Sequence, residues 1–235
     1  MRFLVALLVV VCGAAWAQAP STTPTPEDAK ASQLLTEGLQ LARAKRPAEA
    51  VPYFDQVIAL YESRLKDKNV RYYSARSPAE TLFYALESAT GANNKTGAVV
   101  VSANWSYAHY LKGYALLDLG RVVEAKTQLQ RAVALAPRNA QILGELGHVH
   151  QLEKNWPAAL ETFQRAESAA EEFSPEQVRN AELARAWRGM GYVLVELGRL
   201  DEAEAMYRKC LALDRNDAMA QRELTYVLSQ KAKAK

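Results

Sequence analysis

Small and apolar positions recur along this chain at fixed steps. Gly113, Ala125, Leu129 and Ala132 return as Gly147, Ala159, Phe163 and Ala166, and again as Gly191, Ala203, Tyr207 and Cys210. Within each set the second and third apolar positions follow the alanine by four and seven residues, so all three lie on one stripe of a helix. The glycine, well upstream, belongs to a preceding helix and lets the second one approach closely. Gly120 and Gly198 mark the turns between the two helices, where a left-handed residue ends the first. Pro137 closes the first pair, because a helix interior does not accept proline. The first two sets lie 34 residues apart, so the pattern predicts stacked helical pairs.

Upstream, Gly38, Ala50, Phe54 and Val57 repeat the same steps with Leu34 four before the glycine. The long gap from Gly38 to Gly113 leaves room for a degenerate helical pair with an inserted loop. One helix is well signalled there: Ser77-Pro78-Ala79-Glu80 is a capping box with proline at the first position. Its apolar stripe is expected through Leu82, Phe83 and Leu86. The loop from Thr90 to Asn104 joins a Gly/Asn-rich turn to the apolar run Ala98 to Val101, which could add a strand or tuck onto the core. Further on, Ser174-Pro175-Glu176-Gln177 opens a helix running toward Leu197, extended at its N-terminal end. The segment 218–235, polar on most of its circumference, is expected to be a capping helix with a basic tail.

These spacings resemble the tetratricopeptide repeat. Its motif carries a large residue four before the glycine, matched by Trp187 and Leu143, with His109 a departure. It carries an apolar residue just before the glycine, matched by Leu146 and Met190, with Lys112 a departure. The resemblance implies an all-α fold, an α-α superhelix of about four to five helical pairs, with units near 31–64, 65–105 (degenerate, with an inserted loop at 90–104), 106–139, 140–173 and 184–217, followed by the cap.

In this family the first helix of each pair lines the concave face. That register, carried over, presents Tyr107, Tyr110 and Tyr114 from one unit, Gln141, Glu145, His148 and Gln151 from the next, and Arg185, Arg188 and Tyr192 from the third. Tyrosine and arginine are frequent anchors at protein interfaces, and this lining suits a segment with apolar side chains and at least one acidic group. The carboxylate clamp that some members use is absent, since Tyr110, Tyr114 and Glu145 occupy its places. The function implied is non-enzymatic: an adaptor holding a peptide segment of a partner protein, with no cofactor. Self-assembly is an alternative. So is a small-ligand site under the 90–104 loop near Tyr72, Tyr73 and Arg76.

Composition narrows the setting. Arg2, the apolar run Phe3 to Val11 and Ala15-Trp16-Ala17 have the form of a cleavable export signal over residues 1–17, and the run is shorter than the ~20 residues of a membrane span. Residues 18–26 are a Pro/Thr-rich linker. The expected location is periplasmic or secreted, with no integral membrane segment after cleavage. The formal net charge is +3; acids and bases are interleaved rather than gathered in a basic stripe, which argues against nucleic acid as a partner. Outside the leader the one cysteine is Cys210, which falls at a core position and reads as a small buried hydrophobe. His148 and His150 stand two apart on a helix and point in different directions, so no metal site is expected.

Overall fold

The computed structural model describes residues 25–90 and 97–233. Four helical pairs stack into a superhelix: α1 (Pro26–Arg43) with α2 (Pro47–Arg64), α4 (Asn104–Asp118) with α5 (Val122–Leu135), α6 (Ala140–Leu152) with α7 (Trp156–Phe173), and α8 (Glu176–Glu196) with α9 (Leu200–Leu213). The terminal α10 (Ala218–Lys233) packs on α9. Residues 1–24, which contain the expected leader and most of the linker, lie outside the described residues.

The helix-pair rule is simple in physical terms. A Cβ placed on the glycine of each first helix would strike the large residue of the second: Phe54 at 2.6 Å from Gly38, Leu129 at 2.8 Å from Gly113, Phe163 at 2.8 Å from Gly147 and Tyr207 at 2.7 Å from Gly191. The close partner is thus the bulky residue on the second helix more than the alanine before it. Turns repeat as strictly. Lys45, Gly120, Lys154 and Gly198, each seven residues after its glycine, all have positive φ between 55° and 73°. Helix starts are capped by side chains from Thr25, Asn139 and Asn155, which accept from the amides of Asp28, Ile142 and Ala158. Cys210 is fully buried and its thiol donates to Ala184 O at 3.6 Å; desolvation pushes its pKa up to about 11, so it behaves as a core residue.

The expected degenerate pair at 65–105 is corrected. The segment folds as a strand, a helix and a second strand: β1 (Arg71–Ala75), α3 (Pro78–Thr90) and β2 (Ala98–Ser102). The strands pair in parallel, from Arg71 opposite Ala98 to Ala75 opposite Ser102. Because α2 packs directly on α4, this β1–α3–β2 insert bulges from the stack without interrupting it. The apolar run of the 90–104 loop is therefore strand β2, while residues 91–96 lie outside the described residues.

The capping box also departs from expectation. Ser77 Oγ accepts from Glu80 N at 3.2 Å, but the Glu80 carboxylate turns back to Arg76, accepting from its backbone N–H and from Nε, both at 2.9 Å. The buried face of α3 consequently runs through Glu80 and Tyr84, with Leu82 and Leu86 exposed. Tyr84 stacks on Tyr73 of β1 with ring centroids 4.6 Å apart. Ser74 ties the sheet to the superhelix, its hydroxyl donating to Ser102 O at 2.7 Å and accepting from Ser106 N at 3.2 Å.

Candidate functional site

The first helices of the pairs line the inner face, and that face is divided. Toward the N-terminal side the insert is fastened to the stack by a buried ion cluster. Arg76, at the end of β1, reaches across to the extension of α8: Nη1 and Nη2 donate to Glu182 at 2.6 and 2.9 Å, and Nη2 donates to Ser174 Oγ at 3.0 Å. The Ser174 hydroxyl itself donates to Glu182. Both carboxylates and the guanidinium are nearly inaccessible to water. Desolvation would lower the pKa of Arg76, but the bond to Glu182 together with the negative charges of Glu182 and Glu80 makes the net shift upward. Glu80 also shifts upward, because burial raises its pKa despite Arg76.

Around this ion cluster Phe83 meets Phe173 edge to face at 4.9 Å, and Arg138 lies over both rings. The Tyr84 hydroxyl accepts from Arg138 N at 3.1 Å. All of these contacts fall where second helices end and first helices begin, so the insert is strapped along one edge from α4 to α8. The extra length of α8 exists at the point where Glu182 meets Arg76.

On the N-terminal side of the inner face, three expected groove residues satisfy one another. Tyr107 donates to Gln141 Oε1 at 3.3 Å, and Gln141 Nε2 donates to the Tyr110 hydroxyl at 3.2 Å. Tyr110 is buried in the core formed with Leu129, Ile142 and Leu146 rather than presented to the groove. Desolvation raises its pKa to about 12. Tyr114, one turn beyond, is exposed.

The C-terminal half is open. A pocket of about 580 Å³ lies among α6, α8 and α10, and His148, Gln151, Arg185, Arg188 and Tyr192 are all on its walls. Glu145, expected at the surface, is buried beneath it and accepts from Arg185 Nη2 at 2.5 Å. Arg188 Nη1 donates to Asp217 at 2.5 Å. Asp217 accepts from Ala220 N at 3.0 Å at the start of α10; desolvation would raise its pKa, but the Ala220 amide and Arg188 bring it down. Gln151 Nε2 donates to Gly189 O at 3.1 Å, pinning α6 to α8. His150 sits outside the pocket, 3.5 Å from Glu153, and His109 is buried against Gln128.

Further pocket residues that the groove register did not name include Gly144 and, on the helix read as a plain cap, Met219, Arg222 and Glu223. The repeat step itself would have found two of them. Met219 and Arg222 stand 34 residues after Arg185 and Arg188, as Tyr226 does after Tyr192. The capping helix thus occupies the place of a further first helix and continues the groove. Tyr72, Tyr73 and Arg76, considered for a small-ligand site, are instead engaged in packing: Tyr72 against Trp105, Tyr73 under Tyr84, and Arg76 in the ion cluster.

A stacked-pair superhelix with an open, side-chain-lined inner face defines an interaction scaffold of the α-solenoid class. Tetratricopeptide-repeat models match residues 106–139 and 138–216, so the chain carries tetratricopeptide repeats from α4 to α9. PilF of Pseudomonas aeruginosa is similar in structure at 14% identity and a TM-score of 0.62, over 89% of this chain and 72% of that one. MamA of Desulfovibrio magneticus RS-1, residue 41 to its end, is similar at 18% identity and a TM-score of 0.56, over 89% of this chain and 88% of that one. Identities this low establish the shared fold alone. A comparison with curated protein sequences gives no match.

Proposed function

We propose that this protein is an exported scaffold that holds a segment of a partner protein in the C-terminal half of its concave groove, within a complex of the cell envelope. The observation that carries the reading is the open pocket among α6, α8 and α10, where aromatic, apolar and arginine side chains converge. Pockets of this size with a few fixed polar groups are the usual form of a binding site, and the repeat family works generally as a protein-interaction module. Export is supported by the leader pattern at residues 1–17; among the described residues no helix is long and apolar enough to cross a membrane.

The test is a crosslinked pull-down from the envelope fraction of the source cells, comparing the natural protein with a Tyr192→Ala/Arg222→Ala variant. Both side chains are exposed, so the variant keeps its fold. A partner captured by the first and lost by the second supports the groove. Equal capture moves the site to another surface, and self-crosslinks alone favour assembly of the protein with itself. N-terminal sequencing of the exported form checks the leader: a chain beginning after Ala17 supports cleavage there, and an intact Met1 contradicts it.

A further inference from the structure

The open half of the groove has a chemistry narrower than "a protein segment". Its floor is the ring of Phe163, which reaches through the gap between α6 and α8 because glycines stand on both sides. A Cβ at Gly189 would come within 2.4 Å of the ring, and one at Gly147 within 2.8 Å. Leu152, Tyr192 and Met219, all exposed, form apolar parts of the wall. A site of this kind accepts one large apolar side chain.

Three arginines rim it, and two are held from behind. Arg185 is fixed by the buried carboxylate of Glu145, and Arg188 by Asp217, itself anchored at the start of α10. A guanidinium has five N–H donors in one plane, and each of these acids takes one. The other donors of Arg185 and Arg188 are held in place beside the pocket, so an incoming anion does not have to order a flexible side chain. Gly144 makes this posture available, since a Cβ there would sit 3.1 Å from Arg185 Nε. Arg222 enters from α10, bonded to its sequence neighbour Glu223, and an exposed pair of that kind is worth little against a ligand carboxylate.

We propose that this socket recognises an acidic–apolar segment of a partner protein: a leucine, phenylalanine or tryptophan seated over Phe163, beside an aspartate or glutamate taken by Arg222 together with Arg185 or Arg188. This inference rests on the groove reading above and adds the chemistry of the occupant. It also makes α10 a recognition helix, with Met219 touching the apolar side chain and Arg222 the acidic one.

The test selects binders of the full chain from a displayed library of random peptides, then measures the best as synthetic peptides by fluorescence anisotropy. Enriched sequences should pair a bulky apolar residue with Asp or Glu. Replacing that acid by its amide, or Arg222 by Gln, should each weaken binding by about tenfold or more, and the two losses should not add. Arg222→Lys should recover part of the affinity, and added salt should lower it. Circular dichroism of each variant checks that the fold is kept. Enriched peptides without acids, or binding unchanged in Arg222→Gln and Met219→Ala, would overturn the socket. If such peptides were still lost in Tyr192→Ala, the groove reading would survive that result. Absence of enrichment for any composition would overturn both.

Discussion

Two regions of the molecule use arginine in opposite ways. In the N-terminal half Arg76 is enclosed, with Glu80 and Glu182 taking its donors and Phe83, Phe173 and Arg138 sealing the edge. In the C-terminal half Arg185 and Arg188 lean on single acids and keep donors beside an open pocket. The contrast separates two tasks. An enclosed cluster fixes the shape of the superhelix, because breaking it strands a charge in a dry place. A guanidinium braced from behind but accessible in front is ready to bind.

The largest effect follows from breaking the enclosed half. Arg76→Ala leaves Glu80 and Glu182 without their cation and should lower the unfolding free energy by about 3–5 kcal/mol, read by chemical denaturation. Adding Glu80→Gln and Glu182→Gln to that variant should restore part of the loss; no recovery would mean that the ions are not what Arg76 holds together.

Next comes acid sensitivity, which belongs to the same half. His109 is buried and desolvation holds its pKa down at about 4, against 6.5 in an unfolded chain. The unfolded state therefore takes up a proton that the folded state refuses. Stability from this group is complete above pH 6.5 and falls as pH drops toward 4, by about 3 kcal/mol. Glu80, with its pKa raised by burial, acts in the opposite sense, losing stability as pH rises above its ordinary value. The difference between natural protein and His109→Gln isolates the histidine: the decline across pH 6.5 to 4 should be shallower in the variant, with the lowered pKa of His150 accounting for part of what remains.

A smaller effect tests the satisfied tyrosine network. Tyr110→Phe removes one partner of Gln141 and should cost about 1 kcal/mol while leaving partner capture intact, because Tyr110 is not part of the open pocket. Smallest in stability are the pocket rim residues. Arg222→Gln and Met219→Ala should change the unfolding free energy by no more than about 0.5 kcal/mol, yet weaken capture. If the stability and binding effects of these two groups of variants were reversed, the division of the surface would be wrong.

The repeat units were legible because a glycine, a bulky partner and a left-handed turn recur at fixed steps, each with one steric cause. Lys45 and Lys154 show where residue type misleads: the position demands positive φ, and lysine fills it in two of four turns. The insert was legible only in part. Its capping box and apolar run were visible, but each strand is five residues long. Two parallel strands with a helix between them give no hairpin signal. The buried face of α3 was misread because a carboxylate is expected to face water, and nothing near Glu80 in sequence announces that Glu182 will share its arginine. Of the pocket-lining residues, Arg185, Arg188 and Tyr192 on α8 follow from the repeat register alone. Tyr110 and Glu145 were on the right helices but turn inward, since burial there depends on neighbouring pairs. Met219 and Arg222 were missed because a polar final helix invites the reading of a cap.

The most direct test of the divided surface is site-specific photocrosslinking in the source cells, with a photoreactive residue at position 192 in one strain and at 107 in another. A partner adduct from 192 and none from 107 is the expected result. Adducts from 107 with none from 192 would contradict the claim that the open C-terminal half is the binding face.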